Sequence, residues 1–362
     1  MSDQKKSFID SFTNPSLLMA PKEKSKLIRN PQKWDEKQFT VLKKLGEGVY
    51  GQVFLVQENS NKKLRVFKKI YIKTNWKSEI EILSILSQNH CSPYIVCFTG
   101  NYFFDSKFVY IELEYLEGYR PLNTITFENS QEIYSNPQLR CNLVVKLIRG
   151  LHSIHVMKIA HQDLKGDNIM VKILNDHEVS VKYIDFGLSC FDDKWKCTAD
   201  MDASREYKPP EVFLKSYTGG LIPAQKRDIW ALGIIIWEFI MGNSIFLMNE
   251  WIVAMKKILA FWNDRVDPNI EQVQDAYFYQ MFDYNTKYDY LLYKHAEVEY
   301  FLKQLSTDYL PRNMLLSLKQ MLHREPLKRF LPNDGNVWMK DELVESLSLK
   351  SLTIDVNENP FK

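Results

Sequence analysis

One paired motif constrains this chain more than anything else in its 362 residues. His161-Gln162-Asp163-Leu164-Lys165-Gly166-Asp167-Asn168 opens a short strand-like run, and Asp185-Phe186-Gly187 closes the next. Asn168 and Asp185 therefore fall at neighbouring strand ends as two hard oxygen donors. Such a pair suits Mg²⁺, which takes few protein oxygens and completes its shell with water and substrate phosphates. Asp163 can accept a proton from a hydroxyl nucleophile, and Lys165 can neutralise charge on a transferred group. The plain alternative, two unrelated acidic turns, would have to explain why further motifs precede them in matching order.

The first of those is Leu45-Gly46-Glu47-Gly48-Val49-Tyr50-Gly51-Gln52-Val53, a G-x-G-x-x-G-x-V between two strand-like runs. Dinucleotide-binding folds place similar glycines between a strand and a helix. Here a strand follows, which counts against that site. Glycines let backbone approach a phosphate with no Cβ in the way, although a ligand-free glycine hairpin has the same pattern. Lys68 lies seventeen residues after Gly51 on the next strand-like run. An ammonium there reaches phosphates as a point charge. Strand alternation sends Lys68 and Lys69 to opposite faces, so only one of them can face a cleft.

The rest of the chain falls into two units. Residues 1 to about 37 are rich in Lys, Ser, Asn and Pro and read as a flexible leader. Strand-like runs at Phe39–Leu42, Gln52–Val56, Lys63–Ile72, Tyr94–Phe98 and Phe108–Tyr115 surround one helical run, Trp76–Leu86, with Ile80, Leu83 and Ser87 along one side. Beyond Gly118 the pattern turns helical. Leu139, Leu143, Leu147 and Leu151 recur every four residues on a helix ending near Met157. Two short strands, Asn168–Leu174 and Val179–Phe186, interrupt the helices, and the aromatic and acidic stretch over 262–310 carries no clear motif.

Composition excludes several classes. With 45% hydrophobic and 25% charged residues, the chain is ordinary for a globular protein. A formal charge of +2 gives no reason to expect a nucleic-acid partner. Five scattered cysteines (Cys91, Cys97, Cys141, Cys190, Cys197) with no C-x-x-C pair point to a reducing compartment and a soluble, intracellular protein. The apolar run Trp230–Met248 is long enough to cross a membrane. Glu238 within it, the stop signal Gly242-Asn243-Ser244 and the charges at Lys226, Arg227 and Asp228 favour a buried core helix instead.

These residues together resemble the eukaryotic protein kinase family over about residues 39–332. The resemblance implies a bilobal α+β fold, with a small β-rich lobe over 38–117 holding one main helix and a mostly helical lobe over 118–332. A leader over 1–37 and a tail over 333–362 would flank them. It places Leu45–Val53 over the ATP phosphates and Lys68 on the α- and β-phosphates, paired with Glu79. Glu81 is the rival partner on a different helical face. Glu114-Tyr115-Leu116 resembles the hinge that binds adenine, which makes Leu113 the gatekeeper; Val66 and Met170 are also counted among the ATP-contacting residues. Asp163 matches the catalytic base, with Lys165 beside it, and Asn168 and Asp185 match the metal ligands. Pro209-Pro210-Glu211 resembles Ala-Pro-Glu, with Arg329 as its pairing arginine, and Asp228 opens the central helix of the large lobe. In this family a histidine such as His155 is structural, not a metal ligand. Lys165, two residues after the base, and Ser204 place the chain in the serine/threonine class.

The departures carry expectations of their own. Gln162 replaces the arginine that gathers a phosphorylated activation loop in the family, and Asp200 lies near the usual phosphosite, with Thr198 close by. Activity independent of that phosphorylation is therefore expected. Val66 replaces a small alanine and predicts a tighter or altered nucleotide fit. Only eleven residues separate Lys68 from Glu79, which shortens the helix's entry. Asp167 and Glu238 sit where relatives that favour basic substrates carry acids, whereas Arg120 opposes that preference. The expected function is transfer of the ATP γ-phosphoryl group to Ser or Thr hydroxyls of proteins, with Mg²⁺ (or Mn²⁺) as cofactor. Protein substrates are the implied partners, with no nucleic acid, membrane or obligate oligomer. A pseudokinase acting as a nucleotide-binding scaffold is the alternative, and a small-molecule kinase is disfavoured by the Pro-Pro-Glu211 and Arg329 motifs.

Overall fold

The computed structural model describes residues 31–48, 51–88, 91–128, 130–192, 197, 204, 207–209, 212, 223–242, 318, 320–323 and 326–331. Val49, Tyr50, Thr198, Asp200, Glu211, the 262–310 stretch, the tail and residues 1–30 lie outside them.

Side-chain alternation builds the small lobe. β2 (Phe39–Gly48), β3 (Gly51–Glu58), β4 (Leu64–Tyr71), β5 (Phe98–Phe104) and β6 (Phe108–Leu113) join β1 (Gln32–Lys33) in one six-stranded sheet, ordered β1-β5-β6-β4-β3-β2. Val53 faces Lys68 across β3–β4, and Val66 and Lys68 face Leu113 and Ile111 across β4–β6. Directly opposed residues share a face, so Val53, Val66, Lys68, Ile111 and Leu113 line one side. The other side carries an aromatic cluster of Phe39, Phe67, Phe103 and Tyr110 around Trp34. Trp34 stacks on Tyr110 with ring centroids 4.0 Å apart. That stacking, with the parallel pairing of β1 to β5, draws residues 32–37 out of the expected leader and into the lobe.

The main helix of this lobe, α1 (Trp76–Leu86), buries Ile80 and Leu83 as the periodicity predicts. Ser87 is buried as well, its Oγ accepting the Phe98 N–H at 2.9 Å. Tyr94–Cys97, expected as a strand of this sheet, does something else. Ile95 bridges Tyr183, Val96 N–H donates to Tyr183 O (2.9 Å) and Tyr183 N–H to Tyr94 O (2.8 Å). Tyr94 and Val96 are thus bonded to the large lobe, and β5 begins only at Phe98.

The large lobe is built on two apolar helices. After the short helices α2 (Leu122–Phe127) and α3 (Gln131–Tyr134), α4 (Pro137–His155) starts with proline in its first turn, and the Asn136 side chain accepts from Gln138 and Leu139 N–H. Its stripe Leu139, Leu143, Leu147 and Leu151 is almost wholly buried. α5 (Ala224–Met241) is buried along much of its length and ends at Gly242 in the left-handed conformation (φ 67°). No helix among the described residues is long and apolar enough to cross a membrane. Between these helices, β7 (Arg120–Pro121), β9 (Ile169–Asn175) and β10 (Glu178–Tyr183) form one small sheet, and β8 (Ile159–Ala160) pairs with β11 (Cys190–Phe191).

The five cysteines fall into two close pairs and one single residue. Cys91 is joined to Cys97 and Cys190 to Cys197, with Cα separations of 5.3 and 5.7 Å, and only Cys141 is free. Short loops bring each pair within the Cα range a disulfide accepts.

Candidate active site

Asp163 sits at the centre of the first half of the site, 7% exposed. Its Oδ1 accepts from Ser204 Oγ (2.6 Å), and its Oδ2 accepts from Lys165 Nζ (2.9 Å) and Asn168 Nδ2 (3.0 Å). Lys165 Nζ also donates to Ser204 Oγ at 3.1 Å. A carboxylate held this way is oriented by three partners, one of them the Lys165 ammonium. The backbone that presents it is unusual. Gln162 has φ 68°, which costs a non-glycine residue about 1–3 kcal/mol and persists only where neighbours over-determine it. Those neighbours are on α5: Asp228 Oδ2 accepts His161 N–H (2.6 Å), and its Oδ1 accepts Gln162 N–H (2.9 Å). Asp228 is 1% exposed and also lies 3.0 Å from His155 Nε2, which gives that histidine its structural role.

Lys68 organises the other half. Its Nζ donates to Glu79 Oε1 (2.5 Å) and Asp185 Oδ1 (2.7 Å). Burial alone would lower the Lys68 pKa, but the charges of Glu79 and Asp185 outweigh it and hold the ammonium above the ordinary lysine range. One ammonium shared by two carboxylates favours the less buried one. Burial, with the Asp185 charge, pushes Glu79 up against the pull of Lys68. Asp185 loses solvation too, yet Lys68 holds it below the usual carboxylate range. Glu81 is exposed, so the rivalry between the two glutamates is decided by the helix face. Lys69, on the opposite side of the strand, sits over the Phe108 ring at 4.0 Å.

The donor set fits a hard divalent cation. Asn168 directs its NH₂ to Asp163 O (2.8 Å) as well as to the carboxylate, which leaves the amide oxygen as its ligating atom. Among the described residues no group of three or more His, Cys, Asp or Glu side chains gathers. Two oxygens and a phosphate-bearing partner match Mg²⁺ better than an all-protein metal cage.

The other residues expected to contact nucleotide sit on β2, β3, β4, β6 and β9 and in the connection after β6, apart from Val49 and Tyr50. Leu45–Gly48 continues β2 to its end, and Gly48 pairs with Gly51 at the turn. A Cβ on Gly51 would lie 2.2 Å from Lys69 O, so that glycine is required by close approach of β4. Gln52 donates to Glu47 Oε1 (2.8 Å), bracing the hairpin tip. Val66 is 6% exposed, and Met170, on β9, pairs in register with Pro121 and Lys182. Glu114 N–H bonds Cys97 O (3.0 Å), and the Glu114 carboxylate takes Cys97 N–H (2.7 Å) and Lys182 Nζ (2.6 Å). Nothing in the sequence signals the Lys182 anchor, because a lysine in a short strand carries no mark of its burial.

Other expectations change at this point. Arg329 is fully buried, donates to His323 O (2.5 Å) and lies over Trp230 (4.7 Å). Its expected partner Glu211 is outside the described residues. Glu238 is 4% exposed and accepts from the Tyr207 hydroxyl (2.9 Å), so it is a buried tie instead of an open acidic contact for substrate. Asp167 stays exposed and accepts from Asn123, while Arg120 pairs with Glu128.

A β-rich lobe and a helical lobe with this carboxylate, amide and ammonium set between them define the bilobal α+β kinase fold. The protein kinase domain family matches residues 39–334, and the chain belongs to that family. Among similar proteins are an Aurora kinase of Dictyostelium discoideum, 29% identical over 60% of this chain and 54% of its own, and an Aurora kinase of Patiria pectinifera, 27% identical over 60% and 51%. Calcium-dependent protein kinase 12 of Oryza sativa subsp. japonica is 26% identical over 83% of this chain and 48% of its own. The chain spans about half the length of the curated relatives it matches.

Proposed function

We propose that this protein is a serine/threonine protein kinase that transfers the ATP γ-phosphoryl group to Ser and Thr hydroxyls of protein substrates, without needing activation-loop phosphorylation. The observation that carries the reading is that Lys68 is bonded to Asp185 and Asp163 to Asn168, with the Ile184 N–H bond to Asn168 O (3.0 Å) holding the two pairs side by side. A binding scaffold would not require all four.

In this reading the loop Leu45–Val53 covers the ATP phosphates, and Lys68, fixed by Glu79, holds the α- and β-phosphates. Val66, Leu113, Glu114, Leu116 and Met170 surround adenine. Asn168 and Asp185 hold Mg²⁺, which supplies charge neutralisation on the phosphates when bound. Asp163 orients the substrate hydroxyl and takes its proton as oxygen bonds to the γ-phosphorus. The bond to the bridging oxygen breaks, and ADP leaves. Lys165, bonded to Asp163 (2.9 Å), offsets charge on the transferred group. Independence from phosphorylation is supported by Gln162, whose side chain is turned onto α5. Use of ATP argues for an intracellular site of action.

A radiolabelled-ATP assay on basic proteins and Ser/Thr peptide libraries tests the reading. Wild type should label Ser/Thr substrates, before and after phosphatase treatment. Asp163→Asn should lose at least about a hundredfold in kcat while still binding nucleotide. Asp185→Asn should lose metal-dependent ATP binding. Labelling retained by Asp163→Asn would remove the base assignment, and an inert wild type would remove the enzyme.

A further inference from the structure

The residue before Asp163 is held from two directions. Besides its backbone bond to Asp228, Gln162 uses both ends of its side-chain amide. Its Nε2 donates to Ala224 O (2.9 Å), and its Oε1 accepts from Arg227 Nε at 2.6 Å. The other arm of the same guanidinium, Nη2, donates to Cys197 O at 2.9 Å. Cys197 belongs to the segment after Asp185-Phe186-Gly187, and its disulfide partner Cys190 pairs with Ala160 in the β8–β11 ladder. Arg227 also lines a cavity of about 30 Å³ together with Gln162, Asp163, Ser204, Tyr207 and Asp228.

We infer that Arg227 is a positioning residue for phosphotransfer, tying the catalytic loop to the activation segment through Gln162 and the Cys197 carbonyl. The planar fork of arginine places two donors in fixed relation, so the position of Cys197 and the position of the Gln162 amide are set together. Gln162 is in a left-handed conformation that its surroundings must hold, and it is bonded covalently to Asp163. A release at Arg227 therefore reaches the proton acceptor without touching nucleotide. The charge-assisted bonds involved are stronger than neutral ones, and they need no phosphate on the segment. The inference rests on the kinase reading above and adds to it the device that replaces a phosphorylated loop.

The test is a double-mutant cycle on the full chain, with kcat, KM for ATP and Tm read for wild type, Arg227→Ala, Gln162→Ala and the double variant. Arg227→Ala should lower kcat about tenfold or more, with KM for ATP within about twofold. The double variant should be no worse than Arg227→Ala, because contacting residues do not act additively. A kcat within about twofold of wild type, or losses that multiply in the double variant, would overturn the inference. So would a fall in Tm alone, with kcat per folded molecule unchanged. If Arg227→Ala does not unfold cooperatively, Arg227→Lys is read instead. It keeps the charge without the fork and should still lose kcat about threefold at unchanged KM for ATP, and an unchanged kcat would overturn the inference. A wild type that transfers no phosphate would fail the kinase reading itself, which separates that failure from this one.

Discussion

Lys68 donates to Glu79 across 2.5 Å, although only eleven residues separate them along the chain. The short connection between β4 and α1 shortens the helix's entry but leaves Glu79 in the first turn, on the buried face. Both partners are about 5% exposed or less.

Loss of either partner should behave differently. Breaking a buried pair typically costs about 3–5 kcal/mol. In Lys68→Met the stranded Glu79, already pushed up by burial, escapes by protonating, so the expected loss is about 2 kcal/mol. Glu79→Gln keeps the Lys68–Asp185 bond and should stay within about 1 kcal/mol of wild type, while kcat/KM for ATP falls about tenfold. Denaturant melts and steady-state kinetics measure both. A Glu79→Gln protein as destabilised as Lys68→Met would contradict the shared-ammonium picture.

The pH dependence follows from the same three charges. The Lys68 pKa is raised in the folded protein, so its contribution is complete below the unfolded value of about 10.4 and is lost only as pH rises through the higher folded value. Asp185 is shifted the other way: its contribution is present above the unfolded value of about 3.9 and is lost as pH falls through a lower folded one. ATP affinity measured calorimetrically from about pH 8 to about pH 9.5 should be flat. A steady decline over that range would mean that Lys68 titrates early.

Ser204 holds Asp163 Oδ1 and receives Lys165 at once. Ser204→Ala should reduce kcat about tenfold and leave KM for ATP alone, as expected for loss of one hydrogen bond to a charged group. Ser204→Thr should recover most of the activity. Equal loss in both variants would point to packing of the segment, not to the hydroxyl.

Val66 faces Leu55 and Leu113 across its two neighbouring strands. Truncation to alanine should cost about 1–2 kcal/mol of stability. It should weaken ATP about threefold by removing apolar contact. Tighter ATP binding by Val66→Ala would show that the valine crowds adenine instead of packing against it.

Much of the site was legible because its residues recur at short spacings on regular elements. Lys68 and Lys69 were separated by strand alternation alone, and Asn168 and Asp185 by their places at adjacent strand ends. The serine/threonine assignment rested on Lys165 and Ser204, which meet at 3.1 Å in space. What escaped were contacts that no local period encodes. Tyr94–Cys97 reads as a strand in isolation, yet its hydrogen bonds go to Tyr183. Glu238 reads as an available acid, yet Tyr207 covers it.

The sequence by itself determined most of the described helices and strands, the two lobes and the set of chemical groups in the site. Those depend on interactions within a few residues, which the chain carries wherever it goes. Only the tertiary structure decided how the groups are held: Lys182 locked on Glu114, Asp228 beneath a left-handed Gln162, and Arg227 joining Gln162 to Cys197. Those partners lie 30 to 68 positions apart. A buried polar group must find a partner wherever packing provides one, and packing is a property of the whole fold.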